Sequence, residues 1–142
     1  MRERAVALLA RREHSRAELA RRLAPHAADP DEIEPLLDDL VRRKLLSDDR
    51  YADARTHTLA RKFGGARIEH ELRSKGVDAA VIDRVAGAAR STELDRARAA
   101  WQKRFGKPPA NAAERAKQIR FLQGRGFSFD AIKQVIAGTD DE

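Results

Sequence analysis

The side chains of this sequence that are able to do chemistry are four histidines, the adjacent carboxylates Asp38-Asp39 and Asp48-Asp49, and a large excess of cations. His70-Glu71 opens the pattern of a helical zinc site, but Ser74 stands where the second histidine ligand belongs, and His14, His26 and His57 add no ligand spacing. Cysteine is absent, which removes thiolate nucleophiles and Cys-x-x-Cys zinc sites, and neither GxSxG nor GxxxxGK[ST] occurs. The carboxylate pairs suit helix surfaces and helix starts better than an acid–base dyad, and His14 and His70 read as turn and surface residues. The expectation is a protein with no catalytic group, no cofactor and no metal.

Cations are better raw material. The 142 residues hold 29 Lys plus Arg against 23 Asp plus Glu, a net charge of +6 that favours an acidic partner at long range. There are ten cations against nine carboxylates in residues 1–46, nine against seven in 47–90, and ten against seven in 91–142, where the last count includes the acidic terminus Asp140, Asp141 and Glu142. Positive charge therefore concentrates toward the C-terminal half. Arg and Asp interrupt every apolar run, so no membrane span or secretory leader can be placed, and a reducing cytoplasm is expected.

The elements that position these cations are helices. Ala, Leu, Arg and Glu dominate while β-branched and aromatic residues are few, a composition that favours an all-α fold. Apolar spacing repeats: Leu19, Leu23, Ile33 and Leu36 recur forty-nine residues later as Ile68, Leu72, Ile82 and Val85. Fifty residues beyond these, Leu122, Ile132 and Val135 form a third copy, with Gln118 at the site that should be apolar and Ile119 beside it to cover the gap. Turn residues keep step, since Lys75-Gly76-Val77-Asp78 aligns with Arg125-Gly126-Phe127-Ser128, predicting left-handed glycines that end one helix before a cap opens the next. The first copy has Ala27-Ala28-Asp29 there, which predicts a longer second turn.

Nine helices are predicted, at 2–12, 16–24, 30–43, 48–63, 65–75, 79–87, 92–105, 112–124 and 129–137. Pro35 requires the third to start near Glu34 or to bend. Gly64-Gly65 reads as a helix stop, and Gly106 to Ala110 as part of an eight-residue insertion in the third copy. Each copy is a three-helix unit. Leu8, Leu9, Leu19, Leu23, Ile33, Leu36, Leu37, Leu40, Leu45 and Leu46 supply the first core; Leu94, Trp101, Phe105, Ile119, Leu122, Phe127, Ile132, Val135 and Ile136 supply the third. Stacking of such units predicts an elongated tandem array, with three-helix repeats at 1–46, 47–90 and 91–139 and an acidic terminus at 140–142.

On the second helix of each copy lie Arg16, Arg21 and Arg22, then Arg67, Arg73 and Lys75, then Lys117, Arg120 and Arg125, a recurrence able to form a discontinuous cationic stripe. With Arg61, Lys62, Lys103 and Arg104, the members of the second and third copies are the candidate partner or nucleic-acid contacts.

Three blocks carry a family resemblance: RAVALLARREHSRAELARRL at 4–23, LSDDRYADARTHTLARKFGGARIEHELRSKGVD at 46–78 and KRFGKPPANAAERAKQIRFLQGRGFSFDAIKQVI at 103–136. In order and spacing, over nearly the whole chain, they resemble RecX, the bacterial regulator of the RecA recombinase. FGGARI departs from the KGxGPxRI form of the family, so the loop before Arg67 lacks its proline, and the short lead to the first helix implies no N-terminal extension of the kind some members carry. The resemblance implies repeats related to helix-turn-helix units, no catalytic activity, and a modulator that binds the RecA filament on single-stranded DNA and usually inhibits it, impeding ATP hydrolysis, strand exchange and filament growth; a monomer is expected. Direct DNA contact is a further expectation. The rival readings are a free-standing DNA-binding module and a structural helical-repeat adaptor.

Overall fold

Periodicity and caps together place the helices. The computed structural model describes residues 1–140, with Thr139 and Asp140 as backbone only. Its described residues form nine α-helices and no strand. The first triplet is α1 (Arg2–Arg11), α2 (Arg16–Leu23) and α3 (Ile33–Arg42); the second is α4 (Asp48–Leu59), α5 (Gly65–Ser74) and α6 (Ala79–Arg90); the third is α7 (Glu93–Arg104), α8 (Ala112–Gly124) and α9 (Phe129–Asp140). The predicted acidic terminus lies outside the described residues apart from the backbone of Asp140.

Side-chain caps hold the predicted starts. Ser15 accepts from the Glu18 amide at 3.0 Å and Asn111 from the Glu114 amide at 2.9 Å. Ser47 accepts from Arg50 N–H at 3.1 Å and Ser128 from Ala131 N–H at 3.2 Å. Pro35 is accommodated because 3₁₀ turns at Ala24–His26 and Pro30–Glu32 lengthen the second turn, so that α3 begins only at Ile33. Pro35 then falls in the first helical turn, where amides have no intrahelical acceptor and a missing donor costs nothing. Gly76 and Gly126 adopt φ of +69° and +86°, and Gly106 +68°, as their stop positions require.

Two compact units divide the chain, the first Met1–Arg55 with Leu72–Asp83, the second Thr56–Glu71 with Arg84 onward. In the first, Leu19, Leu23, Leu37, Leu40, Leu46 and Ala5 are fully buried, Ile33 and Leu36 nearly so, and Leu8 and Leu9 pack against them. Each such leucine contributes about 1.5–3 kcal/mol of apolar burial. Leu45, expected in this core, is instead exposed. The reason is local: Lys44 takes φ of +62°, and the amides of Leu45 and Leu46 both return to the Leu40 carbonyl, which turns Leu46 inward and Leu45 out. In the second unit Ala97, Trp101, Leu122, Phe127, Ile132, Val135 and Ile136 form the core, with Leu94, Phe105 and Ile119 packed on it.

Gln118 resolves the one break in the apolar repeat. It is 5% exposed, so the position is as buried as Ile68, but its Oε1 accepts from the Trp101 indole at 2.8 Å and its Nε2 donates to the Lys107 carbonyl at 3.1 Å. The inserted loop supplies that carbonyl. A buried indole N–H and a loop carbonyl thus satisfy a polar side chain inside an apolar layer.

Candidate functional site

Consecutive triplets are joined by one arrangement, used twice. At the first junction the Ser15 hydroxyl donates to the Lys75 carbonyl at 2.7 Å, Gly76 lies against the Ala17 Cβ, and Asp48 accepts from Arg16 N–H at 2.8 Å and Asp78 N–H at 3.2 Å. At the second, Gly64 N–H donates to the Arg125 carbonyl at 2.8 Å, Gly126 lies against the Arg67 Cβ, and Glu93 accepts from Gly65 N–H at 2.7 Å. In both, a carboxylate at the first residue of one triplet caps the second helix of the triplet before it, where the helix dipole is positive.

Gly64 and Gly65 are therefore not a helix stop. α4 already ends at Leu59, and neither glycine has a positive φ. Gly64 is glycine because a Cβ there would stand 2.5 Å from the Gly126 oxygen and the Phe127 Cα, and Gly65 opens α5 with its amide on Glu93. The loop without the family's proline is pinned by these bonds and by Arg96, which donates to the carbonyls of Phe63 at 2.5 Å, Ala60 at 3.4 Å and Ala89 at 3.0 Å. Burial is the main cause that lowers the Arg96 pKa, offset by Glu93.

This junction gathers six of the ten candidate cations in the second unit. Arg61 and Lys62 follow α4, Arg67 stands in the first turn of α5, Lys103 and Arg104 end α7, and Arg125 follows α8. Rings hold the guanidiniums: Arg67 lies 4.9 Å and Arg125 5.6 Å from the Phe63 centroid, while Arg125 lies 5.0 Å and Arg104 5.8 Å from that of Phe121. Phe121 meets Phe105 edge to face at 5.4 Å. Arg61, Lys62, Lys103, Arg104 and Arg125 line one cavity with Ala100 and Phe121.

The other four candidates are elsewhere. Lys117 lines a separate cavity of about 250 Å³ with Arg104, Phe105, Lys107, Pro108, Glu114 and Gln118. Arg120 is exposed on α8 and lines neither cavity. Arg73 and Lys75 belong to the first unit; Arg73 is exposed and Lys75 half-buried.

Sequence reasoning missed Phe63 and Phe121 as ring platforms and Arg96 as a loop clamp. The signal for the first pair was the placement of each ring within four residues of three cations, which sequence alone reads equally well as core.

The first unit handles its arginines differently. Arg16 pairs with Glu34 at 2.5 Å and Asp38 at 2.7 Å, Arg12 with Glu18 at 2.7 Å, and Arg50 with Glu13 at 2.9 Å. Arg2, Arg42 and Arg43 surround Asp39 and hold its pKa at about 2, the opposite of what a general acid needs. His14 is not a surface residue: it is 1% exposed, its Nδ1 lies 3.0 Å from the Arg12 carbonyl, its Nε2 has no hydrogen-bond partner among the described residues, and desolvation lowers its pKa. His70 is exposed, as expected. Among the described residues no group of three His, Asp or Glu side chains is placed to hold a metal, and no helix is long and apolar enough to cross a membrane.

Comparison with known proteins finds family models for all three triplets: the first three-helix domain of RecX matches residues 2–40, the second 47–85 and the third 91–136. A regulatory protein RecX of Leptothrix cholodnii is 55% identical over 139 residues, covering 98% of this chain and 88% of that one. Its counterpart in Ralstonia pickettii is 44% identical over 141 residues, with 99% and 89% covered. Among solved structures, the crystal structure of RecX from Lactobacillus salivarius superposes with a TM-score of 0.86 over 99% of this chain and 95% of that one, at 20% identity, a likeness of fold.

Proposed function

We infer function from the premise that this chain belongs to the RecX family. It is accordingly a regulatory protein whose target is the RecA recombinase. We propose that it works without catalysis, as a cytoplasmic monomer that binds the RecA filament on single-stranded DNA and inhibits it, slowing ATP hydrolysis, strand exchange and filament growth. The three repeats are taken as 1–46, 47–90 and 91–139.

The observation that carries the binding surface is the contrast in charge pairing. Arg2, Arg12, Arg16, Arg42 and Arg43 of the first triplet are matched to carboxylates, whereas Arg61, Lys62, Lys103, Arg104 and Arg125 line a cavity that contains no carboxylate. Unmatched cations attract an acidic recombinase face or the DNA it carries. Arg67, Arg73, Lys75, Lys117 and Arg120 are the remaining proposed contacts.

The test is a titration of the protein into recombinase, single-stranded DNA and ATP, with hydrolysis followed beside binding to each component alone. Inhibition that saturates, together with weak binding to naked duplex, is expected. Tight duplex binding with a salt slope of about one per phosphate contacted, and no effect on hydrolysis, would instead establish the free-standing DNA-binding module. Neutralising Arg67, Arg73 and Lys75 is expected to weaken inhibition with helicity intact.

A further inference from the structure

Arg61, Lys62, Lys103, Arg104 and Arg125 share a cavity of about 280 Å³, lined also by Ala100 and Phe121. Among the described residues none of these five cations forms an ion pair. The groups that orient the arginines are rings: Arg125 lies over both Phe63 and Phe121, and Arg104 over both Phe105 and Phe121. A ring face attracts a guanidinium without neutralising it, so its charge and N–H donors stay available to an anion. Arg125 is fixed further by its backbone, whose carbonyl accepts from Gly64 N–H, and by a long hydrogen bond of 3.4 Å from Nη1 to the Lys62 carbonyl.

Five positive charges around so small a space repel one another until an anion enters. A lone carboxylate brings one charge, while a phosphate brings several oxygens to guanidinium forks shaped to meet them. The volume sits at the lower edge of the roughly 300–1,000 Å³ of small-molecule pockets, which suits a phosphate with one attached group and not a helix face or a duplex. We propose that this cavity is a phosphate-binding site, in which the Arg104 and Arg125 guanidiniums grip phosphate oxygens and Arg61, Lys62 and Lys103 complete the neutralisation. A phosphodiester in a single strand and a free nucleoside polyphosphate offer the same chemistry. The site is part of the cationic surface on which the functional reading rests.

The test omits recombinase, so that its failure is separate from failure of that reading. Inorganic triphosphate is titrated calorimetrically into the full chain at low salt, and a fluorescein-labelled oligothymidylate is followed by anisotropy. R104Q/R125Q is expected to lose about tenfold in affinity, as for two charge-assisted bonds, while R90Q/K133Q, with the same charge change at exposed sites outside the cavity, loses about twofold or less. F121L is expected to weaken binding with no change of charge; should R104Q/R125Q lose helicity, F121L and R61Q/K62Q carry the test. Binding of triphosphate alone assigns a free polyphosphate, and binding of the oligonucleotide assigns a strand. Equal losses in the two double variants, binding of neither probe, or displacement by oligoglutamate of matched charge as effective as by triphosphate overturns the proposal.

Discussion

The amide of Gly64 and the carbonyl of Arg125 are joined by a 2.8 Å hydrogen bond across a contact so close that a Cβ on Gly64 would meet backbone atoms at 2.5 Å. Gly64→Ala is therefore expected to destabilise by about 1–3 kcal/mol, the range for overpacking against atoms that cannot yield. Gly126→Ala adds a left-handed φ to a similar clash with Arg67 and is expected to cost at least as much. Gly87 in α6 has no atom near its missing Cβ, so Gly87→Ala is expected to stabilise by about 0.5–1 kcal/mol. Urea unfolding midpoints of the three variants check the ordering.

Gln118 offers a test in which restoring the apolar pattern does harm. Gln118→Leu matches the hydrophobic repeat but strands the Trp101 indole N–H and the Lys107 carbonyl that the amide now serves. A loss of about 1–3 kcal/mol is expected, the cost of burying a donor without a partner. Denaturant unfolding measures it, and a shift in Trp101 emission reports the lost bond directly.

Asp48 and Glu93 are expected to behave as a pair. Asp48→Ala removes an acceptor from the amides of Arg16 and Asp78, and Glu93→Ala removes one from Gly65. Each is expected to cost about 0.5–2 kcal/mol, the value of a helix cap. Hydrogen exchange should quicken at Arg16 and Asp78 in Asp48→Ala and at Gly65 in Glu93→Ala.

Buried His14 makes stability pH-dependent. Burial lowers its pKa in the folded chain, the Arg12 carbonyl works against this, and the charges of Arg12 and Arg22 lower it again while Glu18 raises it. The unfolded chain therefore binds the proton more readily, so stability is full above about pH 6.5 and falls as the pH drops from there toward the lowered folded value. Thermal melts between pH 7.5 and 5.5 should show this fall, and His14→Gln should flatten it.

Much of the fold was legible because its signals are local. The apolar positions shared by the three copies are all buried, and Ser15, Ser47, Asn111 and Ser128 cap as their types and spacing indicate. What escaped depends on partners distant in sequence. Gly64 looked like a stop because its neighbour, Gly126, lies sixty-two residues on, and Gln118 looked like a flaw because Lys107 enters only through the inserted loop. Leu45 was misplaced for want of one backbone angle at Lys44. The cationic cluster was half legible: charge could be counted along the chain, but which arginines had carboxylates beside them could not.

The borrowed carboxylates at Asp48 and Glu93 bear on how the chain is made. A ribosome releases α2 before Asp48, and α5 before Glu93, so the opening turn of each waits for an acceptor that has yet to be synthesised. Every triplet with a successor is finished by it, and consolidation must travel in the direction of translation, trailing the nascent end by about two helices.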